Sequence, residues 1–405
     1  MEKRDVIVVG AGISGLAFAY YAARAGRSVL VLERGERLGG CLSTHRLASG
    51  YWFELGAHTC YNSYVRLAEI VEGCGLRGEV LRRARTHLRF FEGDELVPGS
   101  NLRALVRLIS FGELIRSAPR MVAAKKDGHT VYSYYSRMVG RRNYGNVFGP
   151  LFAAVPSQGA DAFPAGMLMK SRRTRRRDFP RSFTLGQGLQ TLVDGIARQP
   201  RIEVRLSSSV SSVEWTGGEY AVLAQGGEDC GAPVVAVATS PSVASRILRG
   251  VAPELATQAA RVKESVVETL GFVVRAEKLR LPVSTFLIPR DDLFHSVVTR
   301  DSVPDPAWRG FAFHFRPGQP LEKKIERVTR LLGIARGDLE DLAEESALLP
   351  SPVLGHEHVV REIDRLSSGA RLCLTGNWFA GLSIEDCVSR SREEWERAAR
   401  LATLP

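Results

Sequence analysis

Near the N-terminus, Asp5–Val9 reads DVIVV, a short apolar run of the kind found where a parallel sheet is covered on both faces. Gly10-Ala11-Gly12-Ile13-Ser14-Gly15 follows at once, and LAFAYYAARAG then predicts a helix that ends at Gly26. Ser28–Glu33 supplies a second strand, completing a strand-turn-helix-strand unit. Between Arg83 and Thr184 helical spacing and loops dominate. In NLRALVRLISFGELIRSAPRMVAAKK, for example, Leu102, Leu105, Val106 and Ile109 share a face and Arg103 and Arg107 lie elsewhere. Leu185–Ala197 reads as a turn plus a helix. From Ile202 to Thr239 the pattern turns to strands, IEVRL, VSSVEW, EYAVLA and PVVAVAT, separated by Gly217-Gly218 and Gly226-Gly227. Residues 266–350 are mixed, with ETLGFVV strand-like and LEKKIERVTRLLGI helical. The C-terminal part predicts a strand at Arg371–Thr375, a glycine-bearing loop and a long helix whose start is set by a Ser383-x-x-Asp386 capping box. No internal repeat is visible. This interleaving predicts one domain, built from residues 1–82, 185–265 and 355–405, interrupted by a second made of residues 83–184 and 266–354.

Each glycine of the first turn has a physical reason. Gly10 permits the tight turn, Gly12 admits a diphosphate to the backbone, and Gly15 lets the helix pack closely on the strand. The helix N-terminus, with Ile13 and Ser14, then faces the phosphates. Glu33, 23 residues after Gly10 and followed by Arg34, stands where an acid accepts hydrogen bonds from a ribose. A purely structural glycine turn is the plain alternative. Six residues beyond Glu33 come Gly39-Gly40 and Cys41. A nicotinamide dinucleotide needs no bare backbone there, whereas a ligand whose chain continues past the adenosine does. The extended ligand expected from this spacing is FAD, with non-covalent binding.

A chain of 405 residues with 44% hydrophobic composition can bury a large core. The charge-then-apolar N-terminus imitates a secretory signal, but its internal glycines and polar residues spoil that reading. No apolar run reaches the roughly 18 residues that cross a bilayer. The expectation is a cytoplasmic protein, with peripheral membrane attachment as an alternative. The stretch containing Arg103, Arg107, Arg116, Arg120, Lys125 and Lys126 beside its apolar face suits either a membrane surface or ordinary packing. Six scattered cysteines without a C-x-x-C pair indicate reduced thiols. The pair His356-x-His358 has no neighbour at zinc-like spacing, so no metal is expected. The net charge is +11, and Lys170–Arg181, with seven basic residues and one acid, contributes +6 of it. This run is either a solvated loop or a contact for an anionic substrate or a membrane surface. No aromatic residues alternate with its arginines and no nucleic-acid motif accompanies it, so nucleic acid is not an expected partner.

Together, Gly10–Gly15 with Glu33, the segment ERLGG, FELGAHT at Phe53–Thr59 and GNWFAGLSIEDC at Gly376–Cys387 resemble the flavin amine oxidase superfamily, and most nearly its protoporphyrinogen oxidase branch. The resemblance implies an α/β fold: a Rossmann-like FAD-binding domain of the GR2/amine oxidase type, interleaved with a mixed α+β substrate domain. It further implies that Gly10, Gly12, Gly15 and Glu33 hold the ADP half, that Gly39 and Gly40 approach the diphosphate and ribityl chain, and that Val213 lies near the adenine. Gly56, Ala57 and His58 would flank the isoalloxazine ring. Gly376, Asn377, Gly381, Leu382 and Ser383 would line the phosphate and pyrimidine side, where a helix N-terminus stabilises charge on the reduced ring. Many relatives carry arginine after the paired glycines where this chain has Cys41.

The implied activity is an FAD-dependent oxidoreductase that passes a hydride from a substrate C–H bond to flavin N5, desaturating C–N or C–C bonds. The implied partner is a moderately large small-molecule substrate, a tetrapyrrole precursor or a natural-product intermediate. His58 is the candidate for proton transfer, with simple packing as its alternative. Trp52 and Trp378 are read as substrate walls or as core, and Tyr132, Tyr134 and Tyr135 as lining of the substrate domain. GAHTCYN also resembles the corresponding region of UDP-galactopyranose mutases, which implies a flavin-dependent isomerase as an alternative. A non-catalytic escort-type binding protein of the same architecture is the third reading, opposed by the intact glycine fingerprint.

Overall fold

The computed structural model describes residues 1–405 apart from 100–101, 121–124, 169, 226–228, 380 and 403–405. Its centre is a five-stranded, wholly parallel sheet in the order Ile202–Arg205, Val29–Leu32, Val6–Val9, Val234–Val237, Leu372–Leu374. The three central strands are buried along their whole length, which is why they are aliphatic at every position rather than alternating. One face is covered by the helices Ile13–Arg24, Gln190–Ala197 and Ile384–Ala402. The other is covered by Pro241–Leu248, Pro253–Ala260 and His356–Ser367. A small sheet, Glu2–Lys3, Cys230–Ala232, Tyr220–Ala224, Val210–Trp215, adjoins it.

The second large sheet has seven strands in the order Glu340–Pro350, Glu264–Arg275, Trp308–Phe315, Phe294–Thr299, Ser284–Pro289, His87–Glu92, Glu95–Leu96. All neighbours are antiparallel except Ser284–Pro289 against His87–Glu92. Its core is aromatic, with Phe272, Phe294, Phe311, Phe313 and Phe315 packed under the helix Leu321–Leu332. A three-stranded sheet has the order Cys60–Tyr61, Ser182–Leu185, Val80–Arg82.

Two features depart from the pattern read along the sequence. Residues 83–184 are not helix and loop throughout, because His87–Glu92 and Glu95–Leu96 form the edge of the seven-stranded sheet. Their alternation is masked by polar residues on the exposed face. The helix expected from Asn101 onward is two short helices, Leu102–Leu108 and Phe111–Ser117. The break is held by buried Asn143, whose Oδ1 accepts from Ser110 N at 2.7 Å and whose Nδ2 donates to Ser110 O at 3.0 Å. Part of the expected helix, like Gly226-Gly227, lies outside the described residues.

The hairpin of Thr44–Arg46 and Trp52–Glu54 joins the two large sheets. Phe53 is fully buried against Gly271 and Gly310, where a Cβ would come within 2.6 and 2.8 Å of its atoms. These two glycines are therefore room for an aromatic ring rather than turns. No helix among the described residues is long and apolar enough to cross a membrane.

Candidate active site

A cleft of about 360 Å3 runs along the carboxyl ends of the parallel strands, where open α/β sheets bind their ligands. Gly10 begins it, with φ +102° and its N–H donating to Leu32 O at 2.8 Å. A Cβ on Gly15 would lie 1.9 Å from Gly10 O, so helix and turn touch through bare backbone. Gly12 pairs with Gly39 in a parallel bridge, and Gly39 N donates to Ala11 O at 2.9 Å. Gly40 lies close enough that its Cβ would meet Gly12 Cα at 3.4 Å, whereas Gly12 itself faces open space. The two glycine segments thus form one wall. Glu33 lines the same cleft and is held by Ala11 N at 2.7 Å and Gly35 N at 2.9 Å.

Of the residues singled out in the sequence, Gly10, Gly12, Ile13, Ser14, Glu33, Arg34, Gly39, Gly40, Cys41, Ala57, Gly376, Asn377 and Leu382 line this cleft. Gly15 and Gly56 sit behind its wall: a Cβ on Gly56 would meet Cys41 O at 2.3 Å, and Ala57 N donates to that same oxygen at 2.9 Å. Cys41 therefore acts through its carbonyl, which any residue would supply. Gly381 and Ser383 lie outside the cleft lining. Ser383 instead forms the capping box with Asp386, accepting from Asp386 N at 3.2 Å while its own N–H donates to Asp386 Oδ2 at 3.3 Å. Asp386 is also paired with Arg172 at 2.7 Å and Lys170 at 3.7 Å. Part of the basic run is thus internal structure.

Val213 is the clear displacement. Its side chain is fully buried under the sheet, and Val210, three residues earlier, lines the cleft with Ser208 and Ser209. The strand shifts register between Val210 and Ser212, and Val210, not the Val213 that the resemblance implies, is the valine at the cleft. Arg37 was also missed. Its guanidinium donates to Gly40 O at 3.0 Å and Leu42 O at 3.3 Å and pairs with Glu345 of the other large sheet. Its signal is weak because it precedes the paired glycines rather than following them. Ala238, Thr239 and Arg246 complete the far rim.

His58 lines a smaller adjoining cavity with Trp52, Glu54, Arg83 and Arg300. Its Nδ1 lies 3.4 Å from Gly56 O, and its ring meets Phe286 edge-on at 5.0 Å. Burial, with Arg83 and His314 nearby, pushes the imidazole down to about 3, so it is neutral at ordinary pH. Burial pushes Glu54 up to about 7 although Leu189 N and Thr44 Oγ1 both donate to it at 2.7 Å. Trp378 belongs to the core, with its indole N–H on Thr239 O at 3.1 Å; Trp52 is buried and donates to Gly186 O at 2.8 Å. Tyr135 packs on Phe152 and Tyr132 on Tyr144, within the helical layer. Among the described residues no group of His, Cys, Asp and Glu is arranged to hold a metal ion.

Comparison with known proteins accounts for this geometry. Residues 13–273 match the family model described as flavin containing amine oxidoreductase. Some curated relatives are matched only over short stretches. The all-trans-retinol 13,14-reductase of Danio rerio is 47% identical over 57 residues, 14% of this chain and 9% of that protein. The coproporphyrinogen III oxidase of Bacillus subtilis (strain 168) is 21% identical over 96% of this chain and 97% of its own length. Among solved structures, a protein from Exiguobacterium sp. 255-15 assigned as a protoporphyrinogen oxidase superposes with a TM-score of 0.79 at 18% identity, covering 98% of both chains. Reduced UDP-galactopyranose mutase gives 0.77 at 13% identity, covering 99% of this chain and 96% of that one. The chain belongs to the flavin-containing amine oxidoreductase family and is an FAD-dependent oxidoreductase.

Proposed function

We propose that this enzyme oxidises a porphyrinogen-type tetrapyrrole, removing hydride from a C–H bond and desaturating the ring system. The observation that carries the reading is the continuous wall from Gly12 and Gly39-Gly40 to Ala57, which gives a long dinucleotide one path from its diphosphate to its ring. The whole-length similarity to a coproporphyrinogen oxidase supports the substrate class. A moderately large natural-product intermediate is the wider class within which the tetrapyrrole is the specific choice.

In this reading Gly10, Gly12, Ile13 and Ser14 receive the diphosphate at the N-terminus of the first helix, and Gly15 lets that helix pack close to the turn. Glu33, oriented by two backbone N–H groups, accepts from the ribose hydroxyls, and Arg34 and Val210 border the adenosine. Gly39, Gly40 and Cys41 follow the ribityl chain, and Ala57 and His58 border the isoalloxazine ring, with Gly56 behind them against Cys41 O. Gly376, Asn377 and Leu382 close the other side, with Gly381 and Ser383 shaping the loop behind them. When bound, FAD supplies hydride acceptance; the protein positions the substrate carbon and excludes water. His58 is too weakly basic to hold a proton at neutral pH. Its contribution is a neutral acceptor at Nε2, with Nδ1 turned toward Gly56 O.

The test is anaerobic: purified holoprotein is mixed with coproporphyrinogen III, protoporphyrinogen IX, amines and polyenes, and the flavin absorbance is followed before and after air is admitted. Bleaching by the porphyrinogens alone, reversed by air, is the expected result. Bleaching by amines alone would contradict it. Turnover of a sugar nucleotide that needs a reductant and consumes no oxygen would point to an isomerase instead.

A further inference from the structure

A larger cavity, about 860 Å3, adjoins the His58 pocket and is unlike the rest of the molecule in its charge. Arg82, Arg83, Arg85 and Arg181 line it, and no acidic residue does. Several arginines elsewhere are neutralised: Arg176 pairs with Glu72 and Asp178, and Arg205 with Glu2 and Glu203. Arg82, Arg85 and Arg181, in contrast, form no ion pair among the described residues. The fold assembles them deliberately, since Arg82 ends a strand paired with Ser182–Leu185, the strand that Arg181 precedes.

Arg83 makes the cavity a built site rather than a charged surface. Its side chain is 8% exposed, its Nε donates to Ser302 Oγ at 2.8 Å, and its Nη1 donates to Thr59 Oγ1. Both partners are neutral. They aim the guanidinium without cancelling its charge, and burial pulls its pKa down. Glu54, which shares the smaller cavity with Arg83, is hydrogen-bonded to Leu189 and Thr44 instead, so a ligand anion would supply the direct ion pair that the buried guanidinium lacks. The position is also informative. Thr59 lines this cavity and Ala57 lines the cofactor cleft, so their Cα atoms are at most about 7.6 Å apart. An occupant of the arginine cavity would therefore reach the flavin end of the cleft.

We propose that this cavity receives the carboxylates of the substrate, through bidentate contacts from Arg82, Arg83, Arg85 and Arg181, and so selects an anion with at least two carboxylates over a protonated amine. The proposal rests on the oxidoreductase reading above and deepens it by naming the groups that discriminate. Like charge on four guanidinium groups repels the cationic substrates that the family's description implies.

The test uses holoprotein and coproporphyrin III, the oxidised tetracarboxylate, alongside its tetramethyl ester, which keeps the ring and removes the charge. Binding is followed by fluorescence quenching at several salt concentrations. Arg85→Ala/Arg181→Ala is the variant of choice because both side chains are exposed and unpaired, and Arg361→Ala, exposed on the helix His356–Ser367, is the control for loss of a surface positive charge. The acid should bind at least about tenfold more tightly than the ester, weakening as salt rises. The double variant should lose about tenfold per guanidinium for the acid and nothing for the ester. Arg361→Ala should bind as the parent does. Equal binding of acid and ester, or unchanged binding of the acid by the double variant, would overturn the proposal. The two readings fail separately. Flavin that no porphyrinogen bleaches, in protein that still binds the acid through these arginines, removes the tetrapyrrole and keeps the cavity. Bleaching with unchanged KM in the double variant removes the cavity and keeps the tetrapyrrole.

Discussion

In the parallel sheet Val6–Val9, Val29–Leu32 and Val234–Val237 are aliphatic at every position, and the cleft at their ends is shaped by glycine backbone meeting glycine backbone. In the seven-stranded sheet the core is stacked phenylalanine, accompanied by the buried charge pairs Arg309 with Asp301 and Arg327 with Asp292. The first arrangement depends on the absence of side chains at a few positions, the second on the identity of many. A shared cofactor can be held by the former across a whole family, while the latter can change from one substrate to another without disturbing it.

That contrast is sharpest at Gly15. With Gly10 O only 1.9 Å from any added Cβ, Gly15→Val should cost at least ~4 kcal/mol and give little folded protein in a denaturant titration. Arg327→Ala attacks the other region. Removing one partner from a buried pair should cost about 3–5 kcal/mol, because Asp292 is left buried and unpaired, yet flavin content should be unchanged in the protein that remains folded.

The joint between the regions is tested by pH. Glu54 releases its proton near 4.5 in the unfolded chain but near 7 when folded, so the unfolded state gains as pH rises between those values. Stability should fall by about 1.4 kcal/mol per unit across that window, ~3 kcal/mol in all, and level off above it. Glu54→Gln should flatten the dependence in urea unfolding at pH 5, 6 and 7.5. A smaller effect is expected at Gly271, where a methyl group would press on Phe53 and Leu55. Gly271→Ala should cost about 1–3 kcal/mol, and Phe53→Leu in the same chain should recover part of it, a coupling that a double-mutant cycle would measure.

The same contrast explains what could be read from the sequence. Gly10, Gly12, Gly15, Glu33 and Gly39-Gly40 were legible because each meets a backbone requirement at a fixed spacing, and their convergence follows from the strand-turn-helix-strand unit. The capping box at Ser383 and Asp386 was legible for the same local reason. Val210 was not: the resemblance pointed to Val213 on the same strand, and only the folded strand, with its register shift after Val210, shows which valine meets the cleft. The strand His87–Glu92 was hidden by its exposed polar residues. Glu340–Pro350, EDLAEESALLP, carries charge suited to a helix, and only pairing with Glu264–Arg275 makes it a strand. The arginine cavity was invisible because Arg82–Arg85 and Arg181 lie about a hundred residues apart in the chain and are joined only by the strand pairing.

Gly12 offers the most direct measurement. Its backbone is extended, at φ −68° and ψ 171°, and nothing lies within 4 Å of where a Cβ would stand, so Gly12→Val should fold. The quantity to measure is the flavin absorbance per mole of protein, beside an unfolding curve on the same sample. The account predicts the stability of the flavin-free parent with the flavin lost; a full complement of FAD would contradict it.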